Sequence, residues 1–170
     1  MFEKGEYIIY GRNGICKIED ITHLNIAGVD RKRLYYVLVP VSSRSSRICF
    51  PVDKEDVHAR HLISVEEAER LLDEIRDIEE IWIGNEKMRE EVYKEAISSC
   101  DYRKWVAVIK TLYLRKQDRL SQGKKMAATD ERYLKMAEDA LYSELAFVMG
   151  REKSGMEELI TEHIEKMEMV

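Results

Sequence analysis

The feature that most constrains the fold is a change in the spacing of apolar residues near residue 60. Residues 1–57 contain short runs rich in aromatic and β-branched residues, separated by segments containing glycine, asparagine and serine. That pattern is typical of strands and turns. From residue 62 onward, apolar residues recur every three or four positions, which is typical of amphipathic helices. We therefore predict an α+β protein with a β domain over residues 1–57 and an all-α domain over residues 62–170, joined by a link at residues 58–61.

The β domain is predicted to be a small, strongly bent sheet or barrel with four or five short strands. Residues 11–14 (GRNG) separate the first two strands, and glycine and asparagine tolerate the positive φ angles that a hairpin turn needs. Pro51 cannot donate a backbone hydrogen bond to a neighbouring strand, so we expect it at an edge or at a strand end. A free edge of such a sheet can accept a strand from a partner protein. The predicted strands cover residues 7–10, 15–21, 34–39 and 47–52.

The α domain is predicted to be a bundle of about five helices. Ser64 and Glu67 form a capping box at the start of the first helix. Asn85 and Asp101 are suitable N-caps for the second and third helices, and Gly150 is a suitable C-terminal cap for the fourth. The predicted helices cover residues 64–76, 86–98, 102–121, 130–149 and 154–167.

The composition is typical of a folded cytoplasmic protein. The chain is 45% hydrophobic and 36% charged, which favours a packed domain over a disordered segment. Its three cysteines, Cys16, Cys49 and Cys100, are odd in number and widely spaced, so we interpret them as reduced and mostly buried thiols. No apolar run is long enough to cross a membrane, and the N-terminus does not resemble a secretory signal. We therefore expect a cytoplasmic location.

No arrangement of residues in the sequence indicates catalysis. There is no G-x-x-x-x-G-K-[ST] phosphate loop and no nucleophile elbow. His58 and His61 have a spacing that could suit a metal on a helix, but no third ligand with matching spacing accompanies them. We expect no catalytic residue, no metal, no cofactor and no small-molecule substrate.

A cationic segment lies inside this acidic chain. Residues 103–125 hold eight lysines and arginines and a single acid, Asp118, whereas the whole chain has a net charge of −5. A cationic segment in an acidic protein favours an anionic partner, and nucleic acid is the commonest one. The alternative is that the segment is only a solvated helix face.

A helical wheel divides this cationic segment into a buried stripe and exposed charges. Lys110 is predicted on the side opposite the apolar stripe. The sequence contains no base-reading device, so we do not predict sequence-specific readout. The stripe predicted to be buried comprises Trp105, Ile109, Leu112 and Leu120. The cluster predicted to contact DNA comprises Lys104, Arg115, Arg119, Lys124 and Lys125.

Trp82 lies in the predicted loop between the first two helices. Apolar side chains inserted between base steps are a known device of minor-groove binders. Trp82 is therefore the candidate for such a wedge. The alternative is that Trp82 fills a gap between the two domains.

The order of several motifs resembles that of the CarD-like (CdnL) bacterial transcription regulators. Residues 1–21 (MFEKGEYIIYGRNGICKIEDI) are similar to the family's F-x-x-G-D-x-V-V-Y-P-x-H-G-V-G-x-I opening. The resemblance covers nearly the full length of the chain. The other similar segments, in the family's order, are residues 35–38 (YYVL), 50–52 (FPV), 62–68 (LISVEEA), 115–126 (RKQDRLSQGKKM) and 140–146 (ALYSELA).

The resemblance implies two modules with separate partners. The N-terminal module would be a Tudor-like, SH3-like β barrel that binds the β subunit of RNA polymerase and is shared with transcription-repair coupling factors. The helical module would contact promoter DNA at the upstream edge of the transcription bubble, where a tryptophan enters the minor groove and helps to hold the open complex. By position, the resemblance assigns the wedge to Trp82 and DNA contacts to Lys87 and Lys125.

The chain departs from the family pattern at several of these positions. Some members carry two arginines shortly after the tryptophan, where this chain has Gly84 and Asn85. Arginines that contact polymerase in some members fall at Leu24 and Cys49 of this chain, so strand addition is expected to supply shared backbone bonds. The residues expected to bind polymerase are Leu24, Asn25, Arg47 and Cys49.

The leading hypothesis is a non-enzymatic transcription regulator that binds the polymerase β subunit and promoter DNA, and stabilises the open complex without strong sequence readout. Such a protein would associate with the nucleoid through polymerase. The alternative is a protein–protein interaction module that does not bind DNA directly.

Overall fold

The computed structural model describes residues 1–54 and 58–168. It divides into two compact units, of which the first ends at Leu62 and the second begins at Ile63. The first unit is a five-stranded antiparallel sheet and the second consists of helices, so the predicted α+β class is confirmed. No helix in the described ranges is long and apolar enough to cross a membrane.

The sheet has the strand order β4-β3-β2-β1-β5, with β4 and β5 at its edges. Pro51 ends the edge strand β4, as its missing N–H predicts. The β5 strand occupies residues that the sequence pattern assigns to the interdomain link. It has no apolar alternation, and its place in the sheet comes from backbone pairing with β1. The strands are β1 (Tyr7–Tyr10), β2 (Ile15–His23), β3 (Leu34–Pro40), β4 (Ile48–Pro51) and β5 (Ala59–His61).

The β2 strand contains a bulge. The pairing register with β3 shifts between Ile18 and Asp20, so that Glu19 is the extra residue. Bulges bend a strand and increase its twist. The sheet curls until Tyr10 of β1 stacks on Phe50 of β4, with ring centroids 4.9 Å apart. The buried core inside this curl comprises Ile8, Cys16, Ile18, Tyr36, Leu38 and Phe50.

The helices begin and end close to the predicted residues because their caps are local. Ser64 Oγ accepts a hydrogen bond from the Glu67 amide at 3.0 Å, and the Asp101 side chain accepts one from the Arg103 amide at 2.9 Å. The fourth helix ends at Gly150, as predicted. The helices are α1 (Val65–Glu74), α2 (Arg89–Ser98), α3 (Tyr102–Ser121), α4 (Ala128–Met149) and α5 (Lys153–Glu168), with 3₁₀ turns at Ile75–Asp77 and Glu86–Met88.

The α3 helix lies at the centre of the helical unit along its N-terminal half. Residues 105–110 are all buried, which is more than one full turn of helix. Lys110, predicted to be exposed, is therefore only 3% exposed, because a helical wheel assumes one solvent face. Leu120, predicted to be buried, is 50% exposed, because the last turn of α3 extends beyond the packed core.

Candidate nucleic-acid interface and sheet edge

Among the described residues of the helical unit, Trp82 is the most exposed aromatic side chain. It lies between the two 3₁₀ turns and is 84% exposed. The second tryptophan, Trp105, is 2% exposed and donates its indole N–H to the Ile97 carbonyl at 3.0 Å. Tryptophan is a highly buried residue type on average, so an indole in solvent is a surface available to a partner.

Lys110 anchors the backbone that leads to Trp82. Its Nζ donates to the carbonyl of Ile75 at 2.9 Å and to that of Ile78, and lies 3.4 Å from that of Arg76. These carbonyls end α1 and its 3₁₀ turn, where helical partners run out and the helix dipole is negative. Burial lowers the pKa of Lys110. No local pattern in the sequence indicates this role, because Lys110 is far from residues 75–78 along the chain.

Thr111 holds the residue next to Trp82. Its Oγ1 accepts a hydrogen bond from the Ile81 amide at 2.9 Å and donates one to the Ala107 carbonyl at 2.7 Å. The segment is therefore fixed to two consecutive residues of α3, Lys110 and Thr111. Sequence reasoning missed both contacts.

The indole of Trp82 folds back over Gly84. A Cβ atom at residue 84 would lie 2.5 Å from Cη2 and 2.9 Å from Cζ3 of the indole. Carbon atoms do not pack this closely, so any other residue at this position would displace the ring. The observed ring position therefore depends on the absence of a side chain at Gly84.

A buried carboxylate connects three of the helices. Asp130 is fully buried at the start of α4. Its Oδ1 accepts a hydrogen bond from Arg89 Nε at 3.0 Å, and its Oδ2 lies 3.0 Å from Arg115 Nε. Arg115 also donates to Glu86 at 3.2 Å, which raises the pKa of Arg115 and lowers that of Glu86. A buried charge needs such partners, and here they join α2, α3 and α4.

This network changes how Arg115 is interpreted. The helical wheel assigns Arg115 to the DNA-contacting cluster, but its guanidinium has two carboxylate partners and its side chain is 30% exposed. Its charge is thus balanced within the protein. Asp130 gave no signal in the sequence, since an acid near a helix start is ordinary dipole chemistry.

The loop between α3 and α4 presents two lysines on a well-defined turn. Gly123 has a φ of 71°, and its amide donates to the Leu120 carbonyl at 3.0 Å. The Lys124 amide donates to the Arg119 carbonyl at 2.9 Å, which completes a Schellman motif. Arg119 Nε in turn donates to the Lys125 carbonyl at 2.8 Å, so this arginine supports the loop.

Four lysines among the predicted DNA-contacting residues are exposed, and none forms an ion pair with a residue in the described ranges. The helix rise puts Lys104 about 22 Å from Arg119 along α3, so these cations do not form one compact cluster. Thr111, beside the Trp82 segment, lies about 15 Å before the end of α3. The four exposed lysines are Lys87, Lys104, Lys124 and Lys125.

The residues expected to bind polymerase lie in or next to β4 and next to β2. Arg47 and Cys49 are exposed, and Arg47 forms an ion pair with Glu19 at 2.8 Å. Leu24 is half-buried and Asn25 is exposed, both directly after β2. Cys49 therefore lies in β4, and the other three residues lie directly beside β4 or β2, the two strands that flank β3.

The outer edge of β4 is suited to strand addition. The Val52 amide donates to the Leu34 carbonyl at 2.9 Å, continuing the register that pairs Phe50 with Tyr36. Because residues of an antiparallel strand alternate in direction, the N–H and C=O of Cys49 point away from β3. Within the described part of the chain, no backbone group pairs with them.

Two family models match the chain and together span most of it. Residues 2–63 match the CarD-like/TRCF RID domain, and residues 69–161 match the CarD C-terminal domain. No curated protein matches the chain significantly.

The bent sheet and helical unit, with these two matches in order, define a transcription regulator that interacts with RNA polymerase. The chain belongs to the CarD-like family. Its N-terminal unit is a Tudor-like domain, as the motif resemblance implied.

Proposed function

We propose that the helical unit contacts promoter DNA at the upstream edge of the transcription bubble and stabilises the open complex. The observation that carries this proposal is Trp82, which is 84% exposed on a backbone segment anchored to α3. An apolar ring held in solvent suits insertion between unstacked base steps in the minor groove. Insertion would resist closing of the bubble without requiring contacts to particular base edges.

The exposed lysines supply the electrostatic part of this contact. Lys124 and Lys125 project from a fixed turn, and Lys87 lies five residues after Trp82. Phosphate contacts position a protein on DNA but carry no sequence information. Lys104, near the other end of α3, would contact the duplex at a distance from the lysine loop. Arg119 acts through its support of the loop.

The N-terminal unit is proposed to bind the polymerase β subunit through the outer edge of β4. The backbone groups of Cys49 point to this edge, and Arg47 lies beside them. Strand addition supplies backbone hydrogen bonds whatever the side chains are. It is therefore compatible with a leucine at residue 24 and a cysteine at residue 49, where some family members have arginines.

The DNA proposal is tested by the lifetime of the polymerase–promoter open complex with Trp82→Ala. The exposed indole contributes little to folding, so the variant should remain folded and polymerase-bound. We expect a shorter lifetime than with the wild-type protein. An unchanged lifetime, with binding to polymerase retained, would remove the wedge role.

The polymerase proposal is tested by attaching a bulky maleimide to Cys49, which is the exposed thiol of the three. The adduct would occupy the strand edge, so capture of the β subunit should be lost. Cys49→Ser, treated with the same reagent, is the matched control and should still bind. If the labelled wild-type protein captures the β subunit as well as the Cys49→Ser control does, binding at the edge of β4 is refuted.

One observation favours a second candidate, a protein-interaction module that does not bind DNA. The residues from Ile63 onward include 18 lysines and arginines against 25 acids, a net charge of −7. Such a surface repels a duplex except where cations are locally exposed. Binding to a forked duplex that weakens with salt would exclude this candidate, because phosphate contacts produce that dependence.

A further inference from the structure

We propose that Thr111 is a positioning residue for Trp82, and that α3 thereby holds the wedge at a set distance from the lysine loop. The inference rests on the proposed DNA contact of Trp82. It concerns a residue that does not itself reach DNA and that the sequence motifs do not single out.

The hydroxyl of Thr111 both donates and accepts a hydrogen bond. A threonine hydroxyl has one donor and two acceptor lone pairs. The donor goes to the Ala107 carbonyl at 2.7 Å, one turn earlier in α3, which restricts the side-chain rotamer. A lone pair then accepts from the Ile81 amide at 2.9 Å. A single side chain thus ties the residue before Trp82 to a rigid helix.

The neighbouring anchor, Lys110, does not extend to Trp82, so the hydrogen bond from Ile81 to Thr111 is needed to hold the ring. Lys110 fixes the backbone as far as Ile78, three residues before Ile81. Among the described hydrogen bonds and ion pairs, the next one to α3 after Ile81 is that of Glu86 with Arg115. Without the Thr111 bond, the backbone from residue 79 to residue 85 would have no hydrogen bond to α3 among the described contacts.

A fixed distance matters because two parts of the surface must meet one duplex. The Thr111 anchor lies about 15 Å from the end of α3, where Lys124 and Lys125 begin the next loop. A ring free to move relative to the lysines would enter a base step less often. Positioning therefore lowers the ordering cost of the complex and lengthens its lifetime.

The test is a double-mutant cycle with Trp82→Ala, Thr111→Val and the double variant, read out as open-complex lifetime. Valine keeps the shape of threonine but leaves the Ile81 amide unpaired. We expect Thr111→Val to shorten the lifetime about two- to tenfold, the effect of losing one hydrogen bond. In the Trp82→Ala background it should have no further effect, because there is no ring to position.

Two controls separate positioning from general destabilisation. Thr111→Ser keeps both hydrogen bonds, so its open-complex lifetime should equal that of the wild-type protein. Thr161→Val on α5 removes a hydroxyl that makes no hydrogen bond with the Trp82 segment and should leave the lifetime unchanged. The salt dependence of DNA binding should be the same for Thr111→Val and wild type, since the lysines are untouched.

The outcomes distinguish this inference from the proposed function. If Trp82→Ala shortens the lifetime and Thr111→Val does not, the positioning role is overturned and the wedge is kept. If Thr111→Val shortens the lifetime equally in both backgrounds, its effect does not pass through Trp82 and the inference also fails. If Trp82→Ala has no effect, the wedge itself is lost and there is no contact for Thr111 to support.

Discussion

The lysine loop after α3 offers a direct measurement of how this protein holds DNA. Lys124 and Lys125 are exposed and unpaired within the described residues, and the hydrogen bonds that shape their loop use backbone atoms. Lys124→Ala combined with Lys125→Ala should therefore remove two charges while the turn is kept. The variant should fold as the wild-type protein does, because exposed side chains contribute little to stability.

The expected size of the effect follows from counterion release. Each phosphate neutralised in duplex DNA adds about 0.9 to the slope of the logarithm of affinity against the logarithm of salt concentration. Two contacts give about 1.8, so between 50 and 200 mM salt the wild-type affinity should fall roughly twelvefold more than that of the variant. A lysine near the duplex but not on a phosphate would contribute less.

The measurement is fluorescence anisotropy of a labelled forked duplex, titrated with protein at several salt concentrations. Lys94→Ala combined with Lys135→Ala is the matched control, because it removes the same charge from exposed positions on α2 and α4. The control should keep the wild-type slope. A loop variant with the wild-type slope would refute the contact, and equal losses in both variants would mean that only the overall field of the protein matters.

Three further predictions concern Gly84, the three cysteines and Glu138. Gly84→Ala should displace the indole of Trp82 without unfolding the protein, so one of two ¹⁹F signals from 5-fluorotryptophan should shift; two unchanged signals would contradict the packing. Ellman's reagent should react quickly with Cys49 alone in the native protein and with all three cysteines after denaturation, since Cys49 is exposed whereas Cys16 and Cys100 are buried. Burial raises the pKa of Glu138 in the folded protein above its ordinary value. The folded protein therefore loses stability as pH rises from the ordinary glutamate pKa through the raised pKa of the folded state, where the partly buried carboxyl group becomes charged. Glu138→Gln should therefore raise the melting temperature at neutral pH and give no gain below the ordinary glutamate pKa; a gain of equal size at both would exclude ionisation as the cause.

The elements of this fold could be predicted because they depend on local chemistry. The period of apolar residues distinguishes strands from helices within a few positions, and the caps at Ser64, Asp101 and Gly150 mark helix ends by bonds between near neighbours. The ordered motifs were enough to indicate the family. The short β5 strand was missed because its sequence has no alternation and its pairing partner lies about fifty residues earlier.

The candidate site depended more on contacts between distant parts of the chain. Trp82, Lys124 and Lys125 could be proposed as DNA contacts from the sequence, because an aromatic residue in a predicted loop and lysines beside a glycine are local features. The roles of Lys110, Thr111 and Asp130 were not predicted. Each depends on a partner 15 to 41 positions away.

By itself the sequence determined where each helix begins to within about three residues, which family motifs occur and which loop holds the tryptophan. Only the tertiary structure decided which charges face solvent. Lys110 and Arg115 belong to the same basic helix as Arg119, yet one is buried against carbonyl groups and one is paired with a buried carboxylate. Burial is set by neighbours brought together in folding, and a helical wheel of α3 contains no information about them.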